Sequence, residues 1–395
     1  MSKTQTKSIA QPTLERLRGW FADRGWSPHG FQEEAWSLHA QGRSGLILVP
    51  TGSGKTYAAY LGPLAELADG MGEAGARRGL SIVYISPLRA LSRDIELALR
   101  APVDALDLPL TVESRTGDTS STVRNRQRRT LPNVLVTTPE SLCLLLTNAD
   151  AEKKFSDLKV VIVDEWHELL SSKRGSQIEL ALARLRRFAP GLRTWGLSAT
   201  IANAPEAAAT LTGSDSNPAI VRAPIDRPVV VRSIKPRDIR RFPWAGHMGL
   251  AMLEEVLDDL DPSVPTLVFT NTRSQAEKWF NAISVSRPQW EGRIALHHGS
   301  IDREERERVE QGVKAGGIGI VVCTSSLDLG VDFAPVERVI QIGSPKGVAR
   351  LMQRAGRARH RPNEPCEVSC VPTNALELRE GAAVREASDA GAVEP

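Results

Sequence analysis

The chain has 395 residues, enough for two or three domains of roughly 150 residues each, and a net charge of +3. So small a charge does not by itself indicate a nucleic-acid-binding protein, and that function must rest on local groups. No apolar stretch approaches the roughly 18 residues of a membrane-spanning helix, and the polar N-terminus lacks a signal-peptide region, which predicts a cytoplasmic protein with no membrane partner. The four scattered cysteines predict buried free thiols rather than disulfides or a zinc site.

The first half of the sequence alternates helical patterns with short apolar runs. An amphipathic helix is predicted to end near Gly25, and Ser27-Pro28 predicts a turn into the segment that starts at Phe31. The apolar runs lie at residues 46–49, 82–85, 134–136, 160–163 and 194–197. They are short, rich in β-branched residues and bounded by turns, which predicts buried parallel strands.

Residues 224–243 are rich in proline and arginine and have little helical periodicity, which indicates a domain boundary. A second alternating series follows, with apolar runs at residues 266–269, 294–296, 318–322, 339–342 and 368–371. Two series of similar size predict two stacked α/β domains, residues 1–225 and 226–395, each a mostly parallel sheet flanked by helices.

The motif VPTGSGKT at residues 49–56 lies between the first predicted strand and a helix that begins near Lys55. This order of strand, glycine-rich turn and helix is typical of a phosphate-binding loop, although the first position holds valine where the full pattern has glycine. Glycines let the backbone N–H groups converge on phosphate oxygens. Lys55 would reach the β and γ phosphates of ATP, and Thr56 would bind Mg²⁺. The predicted cofactor-binding residues of the loop are Thr51, Gly52, Ser53, Gly54, Lys55 and Thr56. A chance glycine-rich turn before Lys-Thr is the alternative.

A pair of carboxylates, Asp164 and Glu165, follows the apolar run at residues 160–163. Ligands bind at the carboxyl ends of strands in open parallel sheets. Asp164 suits a Mg²⁺ ion near the phosphates, and Glu165 suits polarising the attacking water. Alone, such a pair also occurs as a helix cap. After a phosphate-binding loop in the same series, it predicts a nucleoside-triphosphatase site.

Nine ordered motifs resemble the series of the superfamily 2 helicases: VPTGSGKT, SPLRAL, TTPESL, VDEWH, LSAT, VFTNTR, HHGS, TSSLDLGVD and QRAGRARH. The DEWH box and the last motif resemble the large helicase-related (Lhr) group of DNA helicases, including the branch that accompanies DNA ligases. The resemblance spans residues 31 to 360, nearly all of the chain. It implies two tandem RecA-like domains that use ATP and Mg²⁺.

The resemblance implies further roles in the first domain. Gln32 resembles the glutamine that reads adenine, since an amide can both donate and accept hydrogen bonds; a surface glutamine is the alternative. Ser198 and Thr200 resemble the element that couples hydrolysis to domain movement. Their hydroxyls could hydrogen-bond to Asp164 or to His167, which is also assigned to coupling, although a strand end that caps the next helix is equally consistent.

In the second domain, Gly330 and Asp332 resemble residues that contact nucleotide, and Gln353 resembles a coupling residue. Arg354 and Arg357 are expected to contact ATP, with Arg357 as a catalytic arginine finger that stabilises charge on the γ phosphate.

The finger motif departs from the general pattern at position 360, where histidine replaces the usual second arginine. Arg354, Arg359 or Arg361 could substitute for that arginine. A solvated basic face or a strand-binding groove would explain these three arginines as well.

Loops of both domains resemble the path of a nucleic-acid strand. Backbone N–H groups, hydroxyls and single arginines there would grip phosphates without reading bases. The predicted contacts are Pro87, Arg89, Thr138 and Pro139 in the first domain and Thr270, Arg273, His298, Gly299 and Thr324 in the second. Residues 124–129 add a dense basic cluster, which a solvated helix face explains as well.

The sequence therefore predicts an ATP-dependent helicase motor. The resemblance implies 3′ to 5′ movement on single-stranded DNA, unwinding of DNA or RNA–DNA hybrids in repair, and DNA-ligase or nuclease partners. An RNA helicase, an ATP-regulated clamp without productive unwinding and a phosphate-loop protein unrelated to nucleic acid are the alternatives. Lhr-type proteins continue into a winged-helix domain, and we expect this chain to be the motor portion of a longer helicase.

Overall fold

The computed structural model describes residues 12–50, 52–70, 79–87, 89, 91–170, 172–199, 201, 203–213, 217–223, 229–238, 240, 242–246, 248–328, 336–358 and 366–389. Predictions for Thr51, Thr200, Gly330, Asp332 and residues 359–361 lie outside these ranges. The chain divides into two compact units, with the division near residue 225.

The first unit is built on a seven-stranded sheet in which every pairing is parallel. Its strands are β1 Gly45–Leu48, β2 Ile82–Ile85, β3 Val112–Arg115, β4 Val134–Thr137, β5 Val160–Val163, β6 Arg193–Ser198 and β7 Ala219–Arg222. Its helices are α1 Thr13–Ala22, α2 Gly30–Ala40, α3 Lys55–Asp69, α4 Ser92–Ala105, α5 Ser121–Arg129, α6 Pro139–Leu146, α7 Ala151–Phe155, α8 Trp166–Leu169, α9 Lys173–Phe188 and α10 Ala204–Thr212.

The strand order of this sheet, β3-β4-β2-β5-β6-β1-β7, brings the predicted site elements together. Strands β2, β5, β6 and β1 are consecutive neighbours, and all run in the same direction. The turns that follow them therefore lie side by side at the carboxyl edge of the sheet. All five apolar runs predicted as strands form central strands, whereas the two edge strands β3 and β7 were not predicted.

The second unit contains a six-stranded sheet in which all pairings are likewise parallel, in the order β10-β11-β9-β12-β13-β8. Its strands are β8 Val229–Ser233, β9 Thr266–Phe269, β10 Ile294–His297, β11 Ile320–Cys323, β12 Arg338–Ile342 and β13 Cys366–Val371. Its helices are α11 Leu253–Asp259, α12 Arg273–Ser286, α13 Arg303–Lys314, α14 Val348–Ala355 and α15 Ala375–Asp389. Two apolar clusters pack the sheet against its helices. In the part of the chain that is described, no helix is both long and apolar enough to cross a bilayer.

Gly45, the first residue of β1, lies against the backbone of the edge strand β7. A Cβ at this position would lie 2.2 Å from the carbonyl oxygen of Ala219. We expect Gly45→Ala to lower the free energy of unfolding by about 1–3 kcal/mol, because the strands must separate to admit the methyl group. Gly19→Ala in α1 is the matched control: its Cβ would meet nothing within 4 Å, and the gain in helix propensity predicts the opposite sign. Thermal unfolding of both variants measures the effect, and equal shifts would contradict the packing argument.

His39 is a buried neutral histidine at the end of α2. Its Nδ1 accepts a hydrogen bond from the Trp195 indole at 3.4 Å, and its Nε2 lies 2.8 Å from Glu66. Burial and, second, the nearby charge of Arg193 lower the pKa of His39 from 6.5 to about 4. The unfolded chain therefore takes up a proton on this ring at a higher pH than the folded chain does.

This difference predicts acid sensitivity in the first unit. Between pH 6.5 and pH 4 the unfolded state binds more protons on His39, so the free energy of unfolding falls as the pH drops through this window. His39→Gln removes this contribution, and the variant should lose about 2 kcal/mol less than the unmodified chain between pH 7 and pH 5. Urea unfolding at the two pH values provides the measurement. Identical pH dependence of the two proteins would show that His39 does not titrate as inferred.

Candidate active site

The glycine-rich turn adopts the backbone conformation that its glycines favour. Gly52 and Gly54 have φ angles of +80° and +85°, in the left-handed region that favours glycine. Gly54 is the N-cap of α3, and Lys55 is the first residue of that helix. Free N–H groups at a helix N-terminus after such a turn are suited to binding phosphate oxygens.

Gln32, predicted to read adenine, lies against this turn. Its Nε2 donates a hydrogen bond to the Gly54 carbonyl at 3.0 Å, and its Oε1 accepts one from the His29 N–H at 2.9 Å. The side chain is buried and forms a capping box with His29 at the start of α2. One donor and one acceptor of the Gln32 amide are used in hydrogen bonds within the protein, so Gln32 also stabilises the glycine-rich turn. The spacing of His29 and Gln32 could have predicted the capping box, but not the contact with Gly54.

Lys55 and Glu165 form a buried ion pair, with Nζ 2.7 Å from Oε1. They are 6% and 5% exposed, so neither charge is well screened by water. Glu165 has a φ of +46°, a strained conformation for a residue with a Cβ. The turn after β5 thus points the Glu165 carboxylate at Lys55, the first residue of α3.

Asp164, the first carboxylate of the pair, is held through both of its oxygens. Oδ1 accepts a hydrogen bond from the Glu165 N–H at 2.9 Å, and Oδ2 accepts one from the Tyr84 hydroxyl at 2.8 Å. Burial, with a further contribution from the charge of Glu165, raises the pKa of Asp164 to about 6. The sequence did not predict the tyrosine, because it lies within an apolar run that reads only as a buried strand.

The oxygen groups of Asp164 and Thr56 are of the kind that Mg²⁺ prefers. Asp164 follows β5 and accepts a hydrogen bond from Tyr84 of β2, and Thr56 is the second residue of α3. Among the described residues there is no group of three or more His, Cys, Asp or Glu side chains that could hold a metal. This set fits Mg²⁺ that is bound by one or two protein oxygens and by substrate phosphates, rather than by a protein cage.

His167 and Ser198 connect the turns after β5 and β6. The Ser198 hydroxyl lies 2.9 Å from His167 Nδ1, which is one of the two hydrogen bonds that the sequence predicted as alternatives. The same nitrogen lies 3.6 Å from Glu165 Oε2. The His167 ring therefore lies between the end of β6 and the Glu165 carboxylate.

In the second unit, Arg354 is buried at 1% exposure inside its own sheet-and-helix packing. Its Nε and Nη2 donate to the two carboxylate oxygens of Asp328 at 2.7 and 3.0 Å, and Nη1 donates to Gln341. The guanidinium also lies over the Phe269 ring, 4.6 Å from its centroid. These contacts favour a structural role for Arg354 over the predicted contact with nucleotide, because its donors are already used within the unit.

Arg357, the predicted finger, lies two residues beyond the end of α14. Its Nη2 donates to the backbone carbonyl of Asp328 at 3.0 Å, so the residue that binds Arg354 also orients Arg357. Gln353, predicted to couple hydrolysis to movement, is 6% exposed, and its Nε2 has no hydrogen-bond partner within the described ranges. Arg354 and Arg357 of this motif thus both bind Asp328, the first at its carboxylate and the second at its backbone carbonyl.

The predicted nucleic-acid contacts of the first unit follow β2 and β4. Arg89 is exposed and lies against Gly117, where an added Cβ would be 3.0 Å from its Nη1. Pro87 is buried, and Thr138 caps α6, of which Pro139 is the first residue, by accepting a hydrogen bond from Ser141 N–H at 3.4 Å. Of these residues, Arg89 is the one whose charge is open to a ligand.

In the second unit, the predicted contacts follow β9, β10 and β11. Thr270 is buried and donates to the Cys323 carbonyl at 3.1 Å, and Thr324 is 9% exposed. His298 is buried, with its Nε2 3.3 Å from Glu277, whereas Gly299 and Arg273 are exposed. The buried residues stabilise the loops, and the exposed residues are accessible to a nucleic-acid strand.

The basic helix α5 is partly neutralised by the fold. Arg126 pairs with Glu113 at 2.7 Å and Arg124 donates to the Thr119 carbonyl at 2.7 Å. Arg128 and Arg129 are exposed. These contacts fit a solvated helix face as well as a binding surface.

The sequence matches two protein-family profiles, which cover most of the chain. The profile described as DEAD/DEAH box helicase matches residues 29–208, and the profile described as helicase conserved C-terminal domain matches residues 249–361.

Curated relatives share about a third of their residues with this chain. It is 35% identical to the ATP-dependent helicase Lhr-Core of Methanocaldococcus jannaschii, over 86% of this chain and 41% of that protein. It is 33% identical to the Lhr helicase/uracil glycosylase of Escherichia coli, over 95% of this chain and 28% of that protein. The chain therefore spans less than half the length of these relatives.

Among solved structures, the Mycobacterium smegmatis helicase Lhr bound to ssDNA and AMP-PNP is similar, with a TM-score of 0.81 and 32% identity. The match covers 97% of this chain and 51% of that one. It confirms the predicted fold class, two tandem RecA-like domains with mostly parallel sheets.

The structural role of Arg354 can be tested against a neighbour on the same helix. Arg354→Lys cannot reproduce the two-point contact with Asp328, and we expect it to destabilise the second unit by about 3 kcal/mol, as for a broken buried ion pair. Arg350→Lys is the control, because Arg350 is 39% exposed and its Nε lies 4.0 Å from the same carboxylate. Thermal unfolding compares the two variants. If Arg354→Lys melts like the unmodified chain but loses ATP binding, Arg354 contacts nucleotide after all.

Proposed function

Because the chain belongs to the Lhr-type helicases of superfamily 2, a class of ATP-hydrolysing enzymes, we propose that it is an ATP-driven motor that moves along a nucleic-acid strand. Residues 1–225 and 226–395 are assigned to its two RecA-like domains. The observation that carries the proposal is the convergence of Lys55, Asp164 and Glu165 at the carboxyl edge of one parallel sheet.

The residues of the first domain are proposed to bind the triphosphate and to activate water. The turn through Gly52 and Gly54 supplies backbone N–H groups to the phosphates, and Lys55 supplies positive charge. Arrival of the phosphates draws Lys55 away from Glu165, since both compete for the same ammonium group. Glu165 then orients the attacking water and accepts its proton. Mg²⁺, when bound by Thr56 and Asp164, neutralises charge on the phosphate oxygens.

Residues of the second domain are proposed to complete catalysis. Arg357 stabilises the negative charge that develops on the γ phosphate, a contribution that can be worth about 10³ to 10⁵ in rate. Its guanidinium is pre-oriented by the Asp328 carbonyl, which reduces the entropy that is lost when it meets a phosphate. Gln353 and the His167–Ser198 contact are proposed to transmit loss of the γ phosphate to the strand-binding loops.

Single-stranded DNA is the proposed track, with 3′ to 5′ movement and unwinding of DNA or RNA–DNA hybrids during repair. The similar Mycobacterium smegmatis helicase Lhr is bound to ssDNA and AMP-PNP, which supports this choice of substrate. The exposed Arg89 and Arg273 contribute charge to phosphate contacts, which need no base recognition. DNA-ligase or nuclease partners are proposed on the resemblance to the ligase-associated branch.

ATP hydrolysis measured with matched DNA and RNA oligonucleotides tests the proposal. We expect single-stranded DNA to stimulate turnover more than RNA does, and the stimulation to fall as salt rises because phosphate contacts dominate binding. Lys55→Ala should abolish hydrolysis, and Arg357→Ala should reduce kcat by about 10³ or more while ATP still binds. Lys153→Ala, at an exposed position of α7, is the matched control and should keep full activity.

Three results would count against parts of the proposal. Undiminished hydrolysis by Lys55→Ala would overturn the site assignment. Turnover that neither DNA nor RNA changes would overturn the motor function, and stronger stimulation by RNA would redirect the substrate assignment.

A further inference from the structure

Tyr84 is a tyrosine within an otherwise apolar central strand. It lies on β2 beside Ile162 of β5, and its side chain is fully buried in the main core of the first unit. Its hydroxyl donates to Asp164 Oδ2 at 2.8 Å. A phenol that reaches from the core to the carboxyl edge of the sheet therefore supports one oxygen of the proposed Mg²⁺-binding carboxylate.

The direction of this hydrogen bond follows from the chemistry of the two groups. A phenol is protonated at neutral pH, so the Tyr84 hydroxyl is a donor to Asp164 Oδ2.

A tyrosine can be buried in this core without a hydrogen-bond partner for its hydroxyl. Tyr60 on α3 belongs to the same core and is also fully buried, yet its hydroxyl has no hydrogen-bond partner within the part of the chain that is described. The two phenols thus share burial and differ in what they touch. The hydroxyl of Tyr84 is the one directed at the proposed site.

We propose that Tyr84 is a positioning residue, which holds Asp164 in the orientation that binds Mg²⁺ with nucleotide. This inference rests on the proposed function. The Glu165 N–H fixes one carboxylate oxygen and Tyr84 fixes the other, so the plane of the carboxylate is set from two sides. Without the phenol, Oδ2 loses its donor and the carboxylate can rotate about its single remaining hydrogen bond. Groups that support metal ligands in this way typically contribute about 10–100-fold to metal affinity or activity.

Tyr84→Phe removes the hydroxyl and keeps the ring. The test measures binding of a fluorescent ATP analogue to the 395-residue chain while Mg²⁺ is titrated, and again in excess chelator. We expect the Mg²⁺ concentration for half-maximal binding to rise about tenfold, while the metal-free affinity stays unchanged. The Mg²⁺ dependence of ATP hydrolysis should shift by the same factor. Tyr60→Phe is the matched control and should leave both titrations unchanged.

The outcomes separate this inference from the proposed function. If Tyr84→Phe keeps the Mg²⁺ dependence of the unmodified chain, the inference is wrong and the proposed function stands. If the variant loses affinity equally with and without Mg²⁺, the hydroxyl has only a structural role and the inference is again wrong. If the unmodified chain binds no nucleotide in either condition, both the proposed function and the inference fail.

Discussion

The buried ion pair between Lys55 and Glu165 is the contact on which the proposed chemistry of the first unit depends. Removing two charges from water costs several kcal/mol per ion, and their mutual attraction offsets this only when the geometry is good. Here β1 and β5 supply that geometry, because both strands end at the same edge of a parallel sheet with β6 between them. In the proposed function, each charge compensates the other until a phosphate competes for the lysine.

The second unit treats buried charge differently. Arg354 and Asp328 satisfy each other through two hydrogen bonds at 1% and 4% exposure, and an aromatic ring covers the guanidinium. This ion pair stabilises the fold of the second unit. It also fixes Asp328, whose backbone carbonyl accepts a hydrogen bond from Arg357 and so orients it. Neighbouring arginines of one motif therefore bind Asp328 differently: Arg354 pairs with its carboxylate, and Arg357 donates to its backbone carbonyl. The sequence of the motif alone does not distinguish the two arginines, because their side chains are identical.

In the first sheet, the strands that the sequence predicted are the central ones. All central strands of the first sheet were found from their apolar runs, whereas β3 (VESR) was missed because an edge strand carries polar side chains. The spacing of glycines and carboxylates predicted where the loops lie. It did not predict the partners of the side chains: Gln32 hydrogen-bonds to a loop 22 residues away, and Tyr84 hydrogen-bonds to Asp164 80 residues away. Such contacts depend on strand order, which periodicity does not reveal.

The left-handed backbone of Glu165 has a consequence for engineering this protein. Glycine would adopt a φ of +46° without the steric cost that a Cβ imposes, so a criterion of backbone strain alone would select it at this position. That choice would delete the carboxylate that faces Lys55 and leave the lysine charge buried without this counter-charge. Relief of backbone strain and compensation of a buried charge therefore oppose each other at this residue. Consensus or computational stabilisation of this chain should hold position 165 fixed and seek its gains at sites distant from the carboxyl edge of the sheet.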